Sequence, residues 1–154
     1  MGYFFFLSLA GLGGLRKYAA ADEGQTHKSF YDAKIVTLGR IHAVLNGLAT
    51  EGDKQGYFAA STNLWIAIKA FTLETLPAAI TAGPFIGGAR PGVDDFHVAP
   101  WLARIAFLLG AQKSEEGVTA LEHFGPVDEK VKAYWNAWIA RDSWVKTYPD
   151  HVLH

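Results

Sequence analysis

The side chains best suited to chemistry are scattered along this sequence, and few of them are spaced to act together. His97 and Arg104 are seven residues apart, which places them on about the same face of one predicted helix. An imidazole and a guanidinium on one face could form a polar pair or contact a ligand. Such residues more often pair with a backbone carbonyl or a carboxylate and stabilise a bundle, and we expect that structural role here.

The histidines do not have the spacing of a metal site. His27, His42 and His123 lie far apart in the sequence, and His151 and His154 lie in a C-terminal tail that we expect to be frayed. The sequence contains no cysteine, which excludes disulfides, thiolate zinc sites, iron–sulfur clusters and a cysteine nucleophile. We therefore predict no metal.

The sequence also lacks the patterns of two common catalytic motifs, the nucleophile elbow and the phosphate-binding loop. No predicted strand–turn–helix segment exposes a serine in the way that a nucleophile elbow does. Gly87 and Gly88 do not form a phosphate-binding loop, because no predicted strand precedes them and the lysine of such a loop is absent. The polar residues alone therefore identify no catalytic centre.

The first elements that would position these residues are predicted to be helices. The apolar run from Tyr3 to Leu15 is 13 residues long, whereas a membrane span needs roughly 20 residues. Because no basic region precedes the run, a signal peptide is disfavoured, and we predict a core or interface helix within residues 1–22. Helical periodicity predicts a second helix over about 27–48, capped by Thr26.

The middle of the chain contains the most apolar predicted helix. A polar turn is predicted at 51–56, followed by a helix that Pro77 kinks or ends. A tight loop rich in glycine and proline follows at 83–92. From Val93 to Leu109 nearly every position is apolar, which predicts a central helix that is buried on all sides and is kinked, but not ended, by Pro100.

The whole chain of 154 residues is predicted to form one all-α domain. Further helices near 115–123 and 127–139 complete a bundle of five to seven helices, with residues 23–150 in the bundle and 151–154 in the tail. Half of the residues are hydrophobic and 14% are aromatic, which is sufficient for a substantial core. The net charge of -1 provides no basic surface for a nucleic acid, so we expect no nucleic-acid partner. The 13-residue length of the apolar run likewise predicts no membrane span.

Two segments carry a combined pattern that is known from one protein family. The first contains Phe85, Ile86, Gly87, Gly88, Pro91, Gly92, Val93, Asp94, Asp95, Phe96, His97, Trp101, Leu102 and Arg104. The second contains Lys132, Tyr134, Trp135, Trp138, Arg141, Ser143, Trp144, Val145 and Tyr148. Together they resemble the loop, central helix and last helices of the C-terminal domain of fungal-type glutathione S-transferases. The resemblance covers about Thr26 to Tyr148.

The resemblance implies a helix cap at the start of the central helix. In the family a Pro-Ser/Thr-apolar-Ala-Asp segment forms a capping box there, and Pro91, Gly92 and Asp95 match it. Gly92 replaces the usual Ser or Thr, so only the Asp95 half of the cap is expected, at a cost of about a few tenths of a kcal/mol. Asp142 stands where the family usually has Pro.

The resemblance also implies a pocket wall for an apolar electrophile. In the family this wall comes from the first helix of the domain and from its C-terminal end. The candidates are Tyr3, Phe4, Phe5, Phe6, Tyr18, Trp144 and Tyr148. Packing in the core, or in an interface with another domain, is the alternative role for these aromatic residues.

The family's glutathione-binding half is a thioredoxin-like α/β domain, and no segment of this sequence resembles it. The residues that hold glutathione and activate its thiol therefore cannot be matched to residues here, and the catalytic residues stay unassigned. The resemblance implies a hydrophobic substrate-binding domain that acts with glutathione only beside a glutathione-binding domain. By itself the chain is expected to be inactive in conjugation.

Two alternatives of a different kind stand beside this interpretation. The domain could be a stand-alone interaction or assembly module that forms a homodimer or docks a partner protein through its N-terminal aromatic helix. It could also bind a hydrophobic small molecule without glutathione. The lack of cysteine and of a convincing signal peptide suits a cytoplasmic protein.

Overall fold

The chain, seen in a computed structural model, divides into two compact units, Met1–Leu64 and Trp65–His154. The structure describes residues 2–21, 25–151 and 153, with side chains from residue 11 onward except that of His151. Within these residues the regular elements are all helices, which confirms the all-α prediction. Paired extended backbone in the described part is limited to one bridge between Phe85 and Gly88.

The first unit is built from α1 (Gly2–Ala20), α2 (Lys28–Leu45) and the first part of α3 (Glu51–Ala70). Helices α1 and α2 pack against each other, and the ring of Tyr18 stacks on that of Tyr31 with 6.4 Å between ring centres. The two predicted helices are thus confirmed, although His27 and not Thr26 occupies the cap position of α2. No helix in the described part of the chain is long and apolar enough to cross a membrane.

The turn between α2 and α3 lies earlier than the sequence predicted. Gly47 adopts a left-handed φ of 70°, which ends α2. The hydroxyl of Thr50 then accepts the Asp53 backbone N–H at 3.2 Å and donates to the Asp53 carboxylate at 2.6 Å. This cap starts α3 at Glu51, so the prediction of a turn at 51–56 was wrong.

Pro77 lies within the last helical turn after α3, which ends two residues later at Ala79, close to the predicted end. The helix widens into a π-helical turn at Phe71–Thr75 and closes with the short α4 (Leu76–Ala79). Pro77 has no backbone N–H and cannot donate a helical hydrogen bond. A widened π-helical turn is one way in which a helix accommodates a missing hydrogen bond. The buried Thr72 donates its hydroxyl to the carbonyl of Ile68 at 2.9 Å in the same stretch.

The rest of the second unit packs several helices around one core. The elements are α5 (Val93–Leu108), α6 (Gly117–Leu121) between the 3-10 turns Ser114–Glu116 and Glu122–Phe124, α7 (Glu129–Ile139) and α8 (Asp142–Thr147). The helices predicted near 115–123 and 127–139 are therefore present. The core is formed by large buried side chains from most of these elements, among them Leu76, Leu102, Leu121, Val131, Tyr134 and Trp135.

The central helix α5 is not buried on all sides, contrary to the sequence prediction. Its buried residues, Asp95, Ala99, Leu102, Ala103, Ile105 and Ala106, recur at spacings of three and four and form one face. On the other side Val93 is 77% exposed and Phe96 is 56% exposed. The helix does continue through Pro100, as predicted. An apolar sequence all around the helix therefore did not guarantee burial all around it.

The end of the described chain is held against the second unit. Leu153 is buried, and its backbone N–H donates to the carbonyl of Gln112 at 2.9 Å. The expectation of a frayed tail is therefore wrong at this residue. His154 lies outside the described residues.

Asp95 ties the loop before α5 to the helix. Its buried carboxylate accepts the backbone N–H groups of Ile86 and Gly87 at 2.9 Å each and that of Gly92 at 2.8 Å. The last of these bonds is the expected half of the cap. Gly87 is required because a Cβ atom there would lie 2.5 Å from the nitrogen of Gly92.

We expect Asp95→Ala to destabilise the second unit by about 3 kcal/mol, because three N–H groups would lose a charged acceptor. Asp94→Ala is the matched control, since Asp94 lies in the same helical turn but is exposed. Urea denaturation followed by tryptophan fluorescence measures both variants. Equal losses of stability in the two variants would contradict the anchoring role of Asp95.

Candidate functional site

The second unit contains a small cleft with aromatic walls. It has a volume of about 140 Å³ and lies where residues of α5, α7 and α8, together with the residue after α8, come together. The side chains that line it carry no formal charge at neutral pH: Phe96, Pro100, Trp138, Ser143, Trp144, Thr147 and Tyr148. We call it the aromatic cleft.

The rings of the aromatic cleft contact one another at the distances of aromatic pairs. The ring centres of Trp144 and Tyr148 are 4.6 Å apart, and those of Trp138 and Trp144 are 6.3 Å apart. Phe96 meets Trp138 nearly edge-on, at 5.5 Å and 79°. Because Trp138, Trp144 and Tyr148 are buried and Phe96 is exposed, Phe96 lies on the solvent side of this cluster.

Ser114 holds two of the indole rings in place. The indole N–H of Trp144 donates to the Ser114 hydroxyl at 2.9 Å, and that of Trp135 donates to the Ser114 carbonyl at 2.8 Å. Ser114 itself is fully buried. Gly117 leaves room for Trp135, because a Cβ atom there would lie 2.0 Å from its Cζ2 atom. One wall of the aromatic cleft is therefore preorganised.

The tyrosines of this region remain neutral. Burial raises the pKa of Tyr148, which lines the aromatic cleft, and burial also raises the pKa of Tyr134. Tyr134 donates its hydroxyl to the carbonyl of Asp95 in a long hydrogen bond of 3.4 Å. Both hydroxyls therefore stay protonated at neutral pH, and neither is poised for proton transfer.

The side chain of Arg141 packs on the ring of Trp138 but does not line the cleft. The guanidinium of Arg141 lies 5.3 Å from the ring centre of Trp138 and 5.9 Å from that of Phe85. These distances are typical of cation–π contacts. Arg141 thus supports Trp138, while the cleft lining itself remains uncharged.

The structure brings together only some of the predicted pocket residues. Trp144 and Tyr148 meet in the aromatic cleft and are also part of the buried core. Tyr18 lies in the first unit, 60% exposed and stacked on Tyr31. The side chains of the other candidates lie outside the described residues, although their backbone belongs to α1: Tyr3, Phe4, Phe5 and Phe6.

His97 and Arg104 do not belong to the aromatic cleft. Both side chains are exposed, and neither forms an ion pair or a side-chain hydrogen bond with a described residue. The guanidinium of Arg104 lies 5.6 Å from the ring centre of Phe107. Within the described part of the chain, neither residue therefore has a carboxylate or carbonyl partner. Gly92 and Asp95 instead form the cap at the start of α5, and Pro91 directly precedes them.

Several residues of the aromatic cleft were not among the predicted pocket residues. They are Phe96, Pro100, Trp138, Ser143 and Thr147. The sequence did contain one signal, a spacing of four residues that places two side chains on the same face of a helix. Three pairs of cleft residues have this spacing: Phe96 and Pro100, Ser143 and Thr147, and Trp144 and Tyr148. The spacing does not show which helices meet, so it could not identify a shared cleft.

A larger groove of about 590 Å³ lies in the first unit, between the end of α2 and the start of α3. Arg40 and Asp53 contribute charges to it, and Leu48 and Tyr57 contribute apolar surface. None of its lining residues is buried, whereas three residues of the aromatic cleft are. Among the described residues no group of three or more His, Asp or Glu side chains could hold a metal ion.

We expect Ser114→Ala to cost about 2 kcal/mol of stability, because it leaves the buried indole N–H of Trp144 without its acceptor. Ser143→Ala is the control, since Ser143 lines the aromatic cleft but is exposed. Thermal unfolding measures the stability, and the emission spectrum of tryptophan reports on the rings. A Ser114→Ala variant as stable as Ser143→Ala would contradict this role.

No protein-family model, no curated protein and no solved structure matches this chain significantly. The functional interpretation therefore starts from the aromatic cleft and from the residues that surround it.

Proposed function

We propose that this chain is the helical, hydrophobic substrate-binding domain of a glutathione transferase-like protein of the cytoplasm. It would contribute to the conjugation or isomerisation of an apolar electrophile, with glutathione held by a separate glutathione-binding domain. One observation carries the proposal. Trp144 and Tyr148, which the family resemblance assigns to the substrate pocket, line an uncharged aromatic cleft together.

The loop before α5 supports the same proposal. The matched segment places Asp95 in the first turn of α5, where it accepts the backbone N–H of Gly92. In the resembled family an aspartate at this position caps the central helix. The glycine at the other cap position does not disturb the arrangement, because two further N–H groups of the loop also bind Asp95.

The side chains of the aromatic cleft suit binding better than they suit catalysis. Thr147 donates its hydroxyl to the carbonyl of Ser143 at 2.9 Å, so it is engaged within α8. No lining residue is a base that could activate Ser143, and the Tyr148 hydroxyl stays protonated. This domain would exclude water and orient the electrophilic carbon, while thiol activation requires groups of another domain.

The first test is to titrate the full chain with reduced glutathione by calorimetry, up to millimolar concentration. Without thiol-activating groups in the aromatic cleft, we expect no saturable heat and no conjugation of a chloronitrobenzene above the uncatalysed rate. Addition of a thioredoxin-like glutathione-binding domain is expected to raise that rate. Saturable glutathione binding, or conjugation by this chain alone, would contradict the need for a second domain.

A second candidate function, as an interaction module, is supported by the first unit. Helix α2 contains no buried residue. Large apolar side chains of α2, of the first part of α3 and of the turn between them are exposed: Phe30, Val36, Leu45, Leu48, Phe58 and Leu64. Exposed apolar surface on this scale is typical of protein–protein contacts. In this interpretation the chain would form a homodimer or dock a partner protein.

If α2 mediates self-association, the chain should sediment as a dimer, and Val36→Glu should shift it to monomer by placing a charge in an apolar interface. Thr37→Glu is the matched control, because Thr37 is the next residue and is also exposed. Sedimentation velocity at micromolar concentration measures all three proteins. A monomeric wild-type chain would contradict self-association.

A further inference from the structure

We propose that the aromatic cleft takes an uncharged molecule with a single six-membered aromatic ring, and that Phe96 sets this size limit. The inference rests on the proposed function, because it names the class of molecule that the same cleft would accept. The argument uses the volume of the cleft, the rings and charges of its lining, and the exposure of Phe96.

The volume of the aromatic cleft fits one ring. At about 140 Å³ it is close in size to an apolar cavity of about 150 Å³ that holds one benzene molecule. Pockets for drug-sized ligands span roughly 300–1,000 Å³. A ring with one small substituent therefore matches this volume, whereas two fused rings are larger than the molecule that such a cavity holds.

The lining of the cleft selects a flat and neutral molecule. Trp138, Trp144 and Tyr148 offer ring faces and edges, which favour stacked or edge-on contact with another ring. An anionic ligand would lose hydration without gaining an ionic partner, because no lining residue is charged. A cationic ligand would meet the like charge of Arg141, whose guanidinium already lies 5.3 Å from the ring centre of Trp138. The protonated state of Tyr148 keeps the cleft neutral.

An exposed hydroxyl of the cleft can meet a ligand. Ser143 lines the cleft, and its hydroxyl forms no hydrogen bond with a described residue. The hydroxyl of Thr147 is already used within α8. A ring that carries one hydroxyl or nitro group could therefore place this group at Ser143, which makes phenol a suitable probe.

Phe96 is the lining ring that could be removed with least damage to the fold. It is 56% exposed, and its ring closes one side of the cleft by edge-on contact with Trp138. Replacement by alanine removes the ring while the buried face of α5 stays intact. The space gained there would admit a second fused ring.

The experiment compares phenol with 1-naphthol, both uncharged at pH 7, by NMR titration of the indole N–H signals of the full chain. The wild-type chain is expected to bind phenol saturably and 1-naphthol at least tenfold more weakly. Phe96→Ala is expected to bind 1-naphthol at least tenfold more tightly than the wild type does. Val93→Ala, at an exposed position of α5 outside the cleft, should change neither affinity.

A second pair of variants tests whether the ligand lies in this cleft. Thr147→Phe should fill the cleft and weaken phenol binding at least tenfold, whereas Val145→Phe should not. Both positions are exposed in α8, but only Thr147 lines the cleft, so the pair separates filling of the cleft from a general effect on the helix.

Four results would overturn the inference: no saturable binding of phenol, equal affinity of the wild-type chain for 1-naphthol, no gain in 1-naphthol affinity in Phe96→Ala, or equal effects of Thr147→Phe and Val145→Phe. The proposed function fails separately. If phenol binds as expected, but a glutathione-binding domain does not stimulate conjugation, the cleft is a ligand site without a role in glutathione chemistry.

Discussion

The buried carboxylate of Asp95 is the contact on which the second unit most depends. It accepts N–H groups from Ile86, Gly87 and Gly92 and so joins the loop to the first turn of α5. A buried charge is tolerated because these donors replace water. The same anchoring holds Phe85 in the core, where its ring contacts Tyr134 and Trp138.

The aromatic cleft depends on this contact through Trp138. Phe85 lies 5.6 Å from Trp138 between ring centres, and Arg141 covers the same indole. Across the cluster, Ser114 fixes Trp144 by accepting its indole N–H. Hydrogen bonds to Asp95 on one side and to Ser114 on the other thus keep the aromatic rings between them in one arrangement. That order explains how a small cleft can exist beside a closely packed aromatic core.

Prediction from the sequence succeeded where the signal was local and failed where it depended on neighbours. Helical periodicity located α2 and α7 to within a few residues, and the Asp95 cap was expected from its match to a family motif. The turn was misplaced because the polar residues at 51–56 hid the cap formed by Thr50. The apolar composition of α5 suggested complete burial, yet Phe96 and Val93 are exposed.

The sequence by itself determined the all-helical class, the absence of cysteine chemistry and the capped start of the central helix. These properties depend on composition and on residues three or four positions apart, which interact within one helix or loop. Only the tertiary structure decided that Phe96, Trp138, Trp144 and Tyr148 share one cleft, because they come from different elements. It also decided which face of α5 is buried, since burial depends on the helices that pack against it.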